Sequence, residues 1–168
     1  TLLGSSLNSE LLGEPNVRTA HLRNHLNTFY RVGARTHLIN VDSGRQLTIV
    51  DLGPSTGRPC VLMHSSFFPI FPPPHLAHWL DQLDVRILIP IRPGFFGVSI
   101  GDNDAEERRK NFVADVAQFL HVFGLHRVPL LSHTVGASPA LSLIKALPQS
   151  AFSRIVFSSP QYLPFLQR

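Results

Sequence analysis

The sequence holds a single cysteine, Cys60, so no internal disulfide can form. Its apolar setting, Pro59-Cys-Val-Leu-Met63, predicts a buried and inert thiol. Lysine is nearly absent: Lys110 and Lys145 are the two there are, and arginine supplies almost all of the formal charge of +4. That mild basicity permits a nucleic-acid partner without establishing one. No run approaches the roughly 18 apolar residues of a membrane span, and nothing has the form of a signal peptide. A cytoplasmic, reducing location is expected. There is no G-x-x-x-x-G-K-[ST], no paired-cysteine motif and no H-E-x-x-H, and the histidines lack metal-ligand spacing. The sequence therefore assigns no cofactor and no metal. After Thr134 there is no histidine, aspartate or glutamate at all. The chain opens at Thr1 and closes at Gln167-Arg168, just after a strand-like run, so both ends are expected to be cut from a longer protein.

What is present suits a globular core, with 43% hydrophobic and 15% charged residues. From 41 onward, strand and helix patterns alternate. Strands are expected at Leu47–Asp51, Cys60–His64, Val85–Ile91, Val128–Leu131 and Arg154–Pro160. Helices are expected around Leu76–Leu80, over Glu106–Phe123 with Phe112, Val116, Phe119 and Val122 on one side, and over 137–147. This alternation predicts a mainly parallel sheet covered on both faces. Cys60–Met63, Arg86–Ile91, Val128–Leu131 and Ile155–Phe157 should be neighbouring central strands, with one sheet edge exposed.

The organising stretch is Val128-Pro-Leu-Leu-Ser-His-Thr-Val-Gly-Ala137, a strand, a tight corner at Thr134-Val135-Gly136 and then a helix. Such a corner thrusts one side chain out at the carboxyl end of a strand. The stretch resembles the nucleophile elbow of the α/β hydrolases, with Ser132-His133-Thr134-Val135-Gly136 where that family has G-x-S-x-G. Further matches are His64-Ser65 at the family's oxyanion loop, Arg92-Pro-Gly-Phe-Phe-Gly-Val-Ser99 at its Arg-x-G-x-G-x-Ser turn, and Asp115 in the helix before the elbow. The resemblance implies the N-terminal part of an α/β-hydrolase domain over 41–168. It puts Thr134 at the nucleophile position, with backbone amides of Ser65, Ser66 and Val135 as the oxyanion hole. Thr134 is a poor nucleophile, since its β-branch stiffens χ1 and resists a strained corner. Family order places the acid and histidine after the nucleophile, where this sequence has neither. His64 and His133 are expected to be structural.

The first forty residues read differently. Pattern gives a short helix over about 7–13, a turn at Glu14-Pro15-Asn16 and a helix over about 17–31 closed by Gly33. Leu22, Leu26 and Phe29 form an apolar stripe, and Thr19, Arg23, Asn27 and Arg31 line the other face. Asn8-Ser-Glu-Leu11, Leu22-Arg-Asn-His-Leu26, Phe29-Tyr-Arg31 and Gly33-Ala-Arg35 resemble the helix-turn-helix of LuxR-type regulators, less its first helix. That resemblance implies DNA binding through 7–35, with Arg18, Thr19, Arg23, Asn27 and Arg31 at the groove. The expected organisation is a helical unit over 1–40 followed by the α/β unit over 41–168. Two functions remain open. One is a DNA-binding regulator, dimeric in the parent, whose hydrolase-like domain senses a small molecule or mediates interaction. The other is an esterase-like hydrolase with a threonine elbow.

Overall fold

A computed structural model describes residues 34–41, 44–65, 74–95, 98 and 104–160. Six strands form one sheet: β1 (Arg35–Asn40), β2 (Gln46–Leu52), β3 (Arg58–Met63), β4 (Val85–Pro90), β5 (Val128–His133) and β6 (Phe152–Ser158). Their order is β1-β2-β4-β3-β5-β6. β1 and β2 run antiparallel to their neighbours, while β4, β3, β5 and β6 are mutually parallel. The four strands expected to be neighbours are thus consecutive, but β6, expected to be central, is the last strand of the sheet and mostly exposed.

Three helices connect them: α1 (Pro74–Leu83), α2 (Ala105–Val122) and α3 (Ala137–Ala146). Period-two alternation sends each strand's apolar residues to two separate cores. On one face Ile49, Val61, Met63, Leu88 and Leu130 pack with Phe112, Val116 and Phe119 of α2 and with Ala140 and Leu143 of α3. On the other, Val50, Leu52, Leu62, Ile89 and Ile91 pack with Leu80 of α1. Both faces of the central strands are therefore buried, as a parallel sheet requires. Asp104 caps α2, its carboxylate accepting the Glu107 amide at 2.8 Å.

Two other expectations need correction. Residues 35–40, assigned to the helical N-terminal unit, form β1 of the sheet. The misreading has a physical cause. The half-buried positions of β1 are Arg35, His37 and Ile39, while Leu38 is 66% exposed, so its polarity pattern is close to inverted. Arg35 and His37 face inward because Asp51 of β2 receives them both. Val122 is the second correction: it is 60% exposed, and Val113 and Leu120 complete the buried face of α2 instead. Cys60 is buried as expected, and burial pushes its thiol up to about 11. The helices expected over 7–13 and 17–31 lie outside the described residues.

Candidate active site at the strand-to-helix elbow

From β3 the chain crosses through α1 to β4 on one side, and from β4 through α2 to β5 on the other. The winding reverses at β3, and ligands of open α/β sheets bind outside the carboxyl ends of the strands at such a reversal. Three loops meet there: His64-Ser65 after β3, Arg92 to Phe95 after β4, and the corner after β5.

The corner is tight. A single 3-10 turn, Thr134–Gly136, joins β5 to α3. Thr134 has φ +49°, the left-handed conformation that β-branched residues resist, at a cost of about 1–2 kcal/mol. Gly136 lies against β3, where a Cβ would overlap the Met63 carbonyl oxygen and come within 3.0 Å of the His64 carbonyl oxygen. The second glycine of the elbow is therefore required by packing. Ser132, at the first glycine's place, is accommodated within β5 opposite Met63 and Phe157.

The hydroxyl oxygens of Thr134 and Ser132 are both buried without a hydrogen-bond partner. No described group takes the Thr134 proton. His64 is 3% exposed and both its ring nitrogens are engaged. Nδ1 donates to the Ser65 carbonyl at 2.9 Å, and Nε2 accepts the Arg92 amide at 3.3 Å. Burial drives its pKa down to about 4, so the ring is neutral and ties the β3 loop to the β4 loop. It is a structural histidine, as expected. Ser65 is buried beside it, and Val135 is half-buried in the turn. Ser66, with Arg18, Thr19, Arg23, Asn27 and Arg31, lies outside the described residues.

No family profile and no curated protein matches the sequence. Solved structures do match in shape. A proposed lipase from Acinetobacter baumannii AYE superimposes with a TM-score of 0.65 at 17% identity, over 88% of this chain and 48% of that one. The esterase EaEST from Exiguobacterium antarcticum gives 0.60 at 17% identity, over 75% and 46%. An epoxide hydrolase of the alpha/beta hydrolases superfamily, from metagenomes of hot environments, gives 0.58 at 17%, over 75% and 42%. This chain has the α/β-hydrolase fold. It spans about half the length of the proteins it matches.

Within that fold Asp115 of α2 is a framework residue. It accepts Arg45 through both carboxylate oxygens, Nε at 3.1 Å, and so fastens α2 to the turn before β2. Two arrangements had no sequence signal. One is the cluster of Arg35, His37 and Arg86 on Asp51; the other is Arg92, whose Nε and Nη2 are buried without an acceptor. Among the described residues no three His, Cys, Asp or Glu side chains gather as a metal site, and no helix is long and apolar enough to cross a membrane.

Proposed function

We propose that this chain carries the nucleophile side of an ester-hydrolase-type site. Thr134 stands at the nucleophile position, and the amides of Val135 and the Ser65–Ser66 loop meet the oxyanion. The observation that carries the reading is the elbow itself. A threonine is held at φ +49° on the switch point of the sheet, with its hydroxyl committed to no other described group. The likeness to proteins described as a lipase, an esterase and an epoxide hydrolase supports it. Attack would join Oγ1 to the acyl carbon as the carbonyl π pair moves onto oxygen, the Oγ1 proton passing to a general base. Collapse would break the ester C–O bond, the base returning the proton to the departing alcohol. His64 is not that base, because both nitrogens are occupied and the ring is hard to protonate. With no histidine or acid after Thr134, this chain holds a nucleophile and an oxyanion loop but no base of its own in family order.

The chain alone should therefore hydrolyse p-nitrophenyl acetate no faster than buffer. In the whole protein, Thr134→Ser should raise hydrolysis and Thr134→Ala abolish it. Unchanged hydrolysis by the alanine variant ends the reading.

A second reading, DNA contact by 7–35 of a dimeric parent, rests on the register kept by Asn8-Ser-Glu-Leu11 and Leu22-Arg-Asn-His-Leu26. Arg23→Ala should weaken operator binding by that parent and reduce its salt dependence. Wild-type binding by that variant removes the proposal. Both readings put the protein in the cytoplasm.

A further inference from the structure

A cavity of about 400 Å³ opens beside the elbow, between the loop after β4 and the first turns of α2 and α3. Phe95, Phe112 and Val135 give it apolar walls, and Arg92, Arg108 and Arg109 give it charge. No aspartate or glutamate is among its described lining residues. Arg92 in particular differs from the other inward-facing arginines. Arg35 and Arg86 share Asp51, and Arg45 holds Asp115.

Arg92 stacks its guanidinium 4.7 Å over the Phe95 ring, yet Nε and Nη2 are buried with no acceptor. Those two nitrogens form one edge of the guanidinium, the fork that grips a carboxylate or phosphate through two parallel hydrogen bonds. Leaving them unmatched is unfavourable, and burial lowers the pKa of this arginine. Arg109 is turned toward α3, where it donates to the Ser142 hydroxyl at 3.4 Å, and its charge is felt by the exposed Glu106. Its fork is thus close to the same opening and weakly engaged. The amino end of α3 adds partial positive charge to the same wall.

We propose that this cavity binds the oxyacid head of a small amphiphilic anion, a carboxylate or a phosphate monoester, with its apolar body against Phe95 and Phe112. Arg109 meets the anion first, and Arg92 closes on it. Because Nε and Nη2 are shielded from solvent, that closure includes a shift of the Arg92 side chain toward the opening. The inference goes beyond acyl transfer, since the anion is held whether or not Thr134 reacts.

Calorimetric titration with 1-naphthoate, 1-naphthyl phosphate and the neutral 1-naphthamide tests it on the chain as it stands. At least one anion should bind about ten-fold or more tighter than the amide, as the loss of charge-assisted bonds implies. Added salt should erode the difference. The preferred anion identifies the head group, and equal binding of the two assigns the shared oxyacid chemistry. Arg92→Gln and Arg109→Gln should each lose about ten-fold for the anion while leaving the amide unchanged. Arg109→Gln lies on α2, apart from the loop after β4, and keeps the test valid if Arg92→Gln disturbs that loop. Lys110→Gln, outside the cavity, should bind as wild type. Equal affinity for amide and anions, or wild-type anion binding by Arg109→Gln, overturns the proposal. The readout is binding, so absence of hydrolysis bears on the acyl-transfer reading alone.

Discussion

β4 has an arginine at each end, and the two live under opposite conditions. Arg86, near its start, donates Nε and Nη2 to Asp51 at 3.0 and 2.9 Å, alongside Arg35 and His37 on the same carboxylate. Arg92, just past its end, presents the same pair of atoms to nothing. Around Asp51 every described partner is matched, and the backbone fits it too: Gly53, with φ +89°, lets its carbonyl take Arg35 at 2.8 Å. Around the elbow, two hydroxyls and an arginine edge are unmatched and a threonine is strained. Proteins carry such unrelieved groups at functional sites and offset them with satisfied structure elsewhere. The contrast separates a satisfied antiparallel side from an unsatisfied carboxyl edge.

The largest effect should come from breaking the satisfied side. Asp51 is fully buried, and burial alone would raise its pKa. Hydrogen bonds from Arg35, Arg86 and His37 outweigh that and hold the carboxyl well below the usual range. Asp51→Asn leaves two arginines and His37 facing a neutral amide and should cost about 3 kcal/mol, read from the urea midpoint. The sign with pH follows from the depressed pKa. The stabilisation is complete above the ordinary carboxylate value of about 4 and is lost as pH falls through the lowered one. Asp51→Asn should flatten that acid limb; an unchanged limb would show that the cluster is not its source.

His64 should give the next effect, at higher pH. Its pKa falls from 6.5 to about 4 through burial, so the neutral ring stabilises fully above 6.5 and that contribution disappears as pH drops through 4. The loss is on the order of 2–3 kcal/mol. His64→Gln should remove the dependence between these values and leave the Asp51 limb intact. A midpoint already independent of pH in this window in the unaltered chain would contradict a buried neutral ring.

Much of this contrast was hidden from the sequence, for reasons particular to each residue. Strand and helix periods located β2 to β6 and all three helices, because both faces of a parallel sheet demand continuous apolar runs. The corner at Thr134-Val135-Gly136 was legible because Gly136 has no room for a Cβ, a constraint that fixes the residue type. β1 was not legible, since Arg35 and His37 occupy its inward positions to serve a carboxylate sixteen and fourteen residues away. Likewise nothing in Arg92-Pro-Gly94 distinguishes an arginine with a partner from one without. Long-range polar pairing leaves no periodic trace.

Relieving the elbow should move stability the other way. Thr134→Gly removes both the left-handed strain and the unpartnered hydroxyl, against the greater freedom of glycine in the unfolded chain. A net gain of about 1 kcal/mol is expected. Destabilisation of that size would mean that the threonine methyl contributes packing that outweighs its backbone strain.

The smallest thermodynamic effect, and a large one on behaviour, should come from β6. It is the last strand in the sheet order, and its neighbours Ile155 and Val156 are 42% and 48% exposed. Consecutive strand residues point to opposite faces, so each face of this edge exposes one large apolar side chain. An edge of this kind, with its outer backbone groups unpaired by any described strand, is a template for pairing with a second copy. β1, at the opposite edge, sets Arg35 and His37 on its inner side and is short. Val156→Lys removes exposed apolar area and adds an edge charge, so the unfolding midpoint should shift by no more than about 0.5 kcal/mol. Light scattering should instead show a clear fall in self-association, while Leu38→Lys on β1 should change it little. Equal relief by both variants would mean that the two edges are equally adhesive, and that the satisfied side of the sheet is not protected after all.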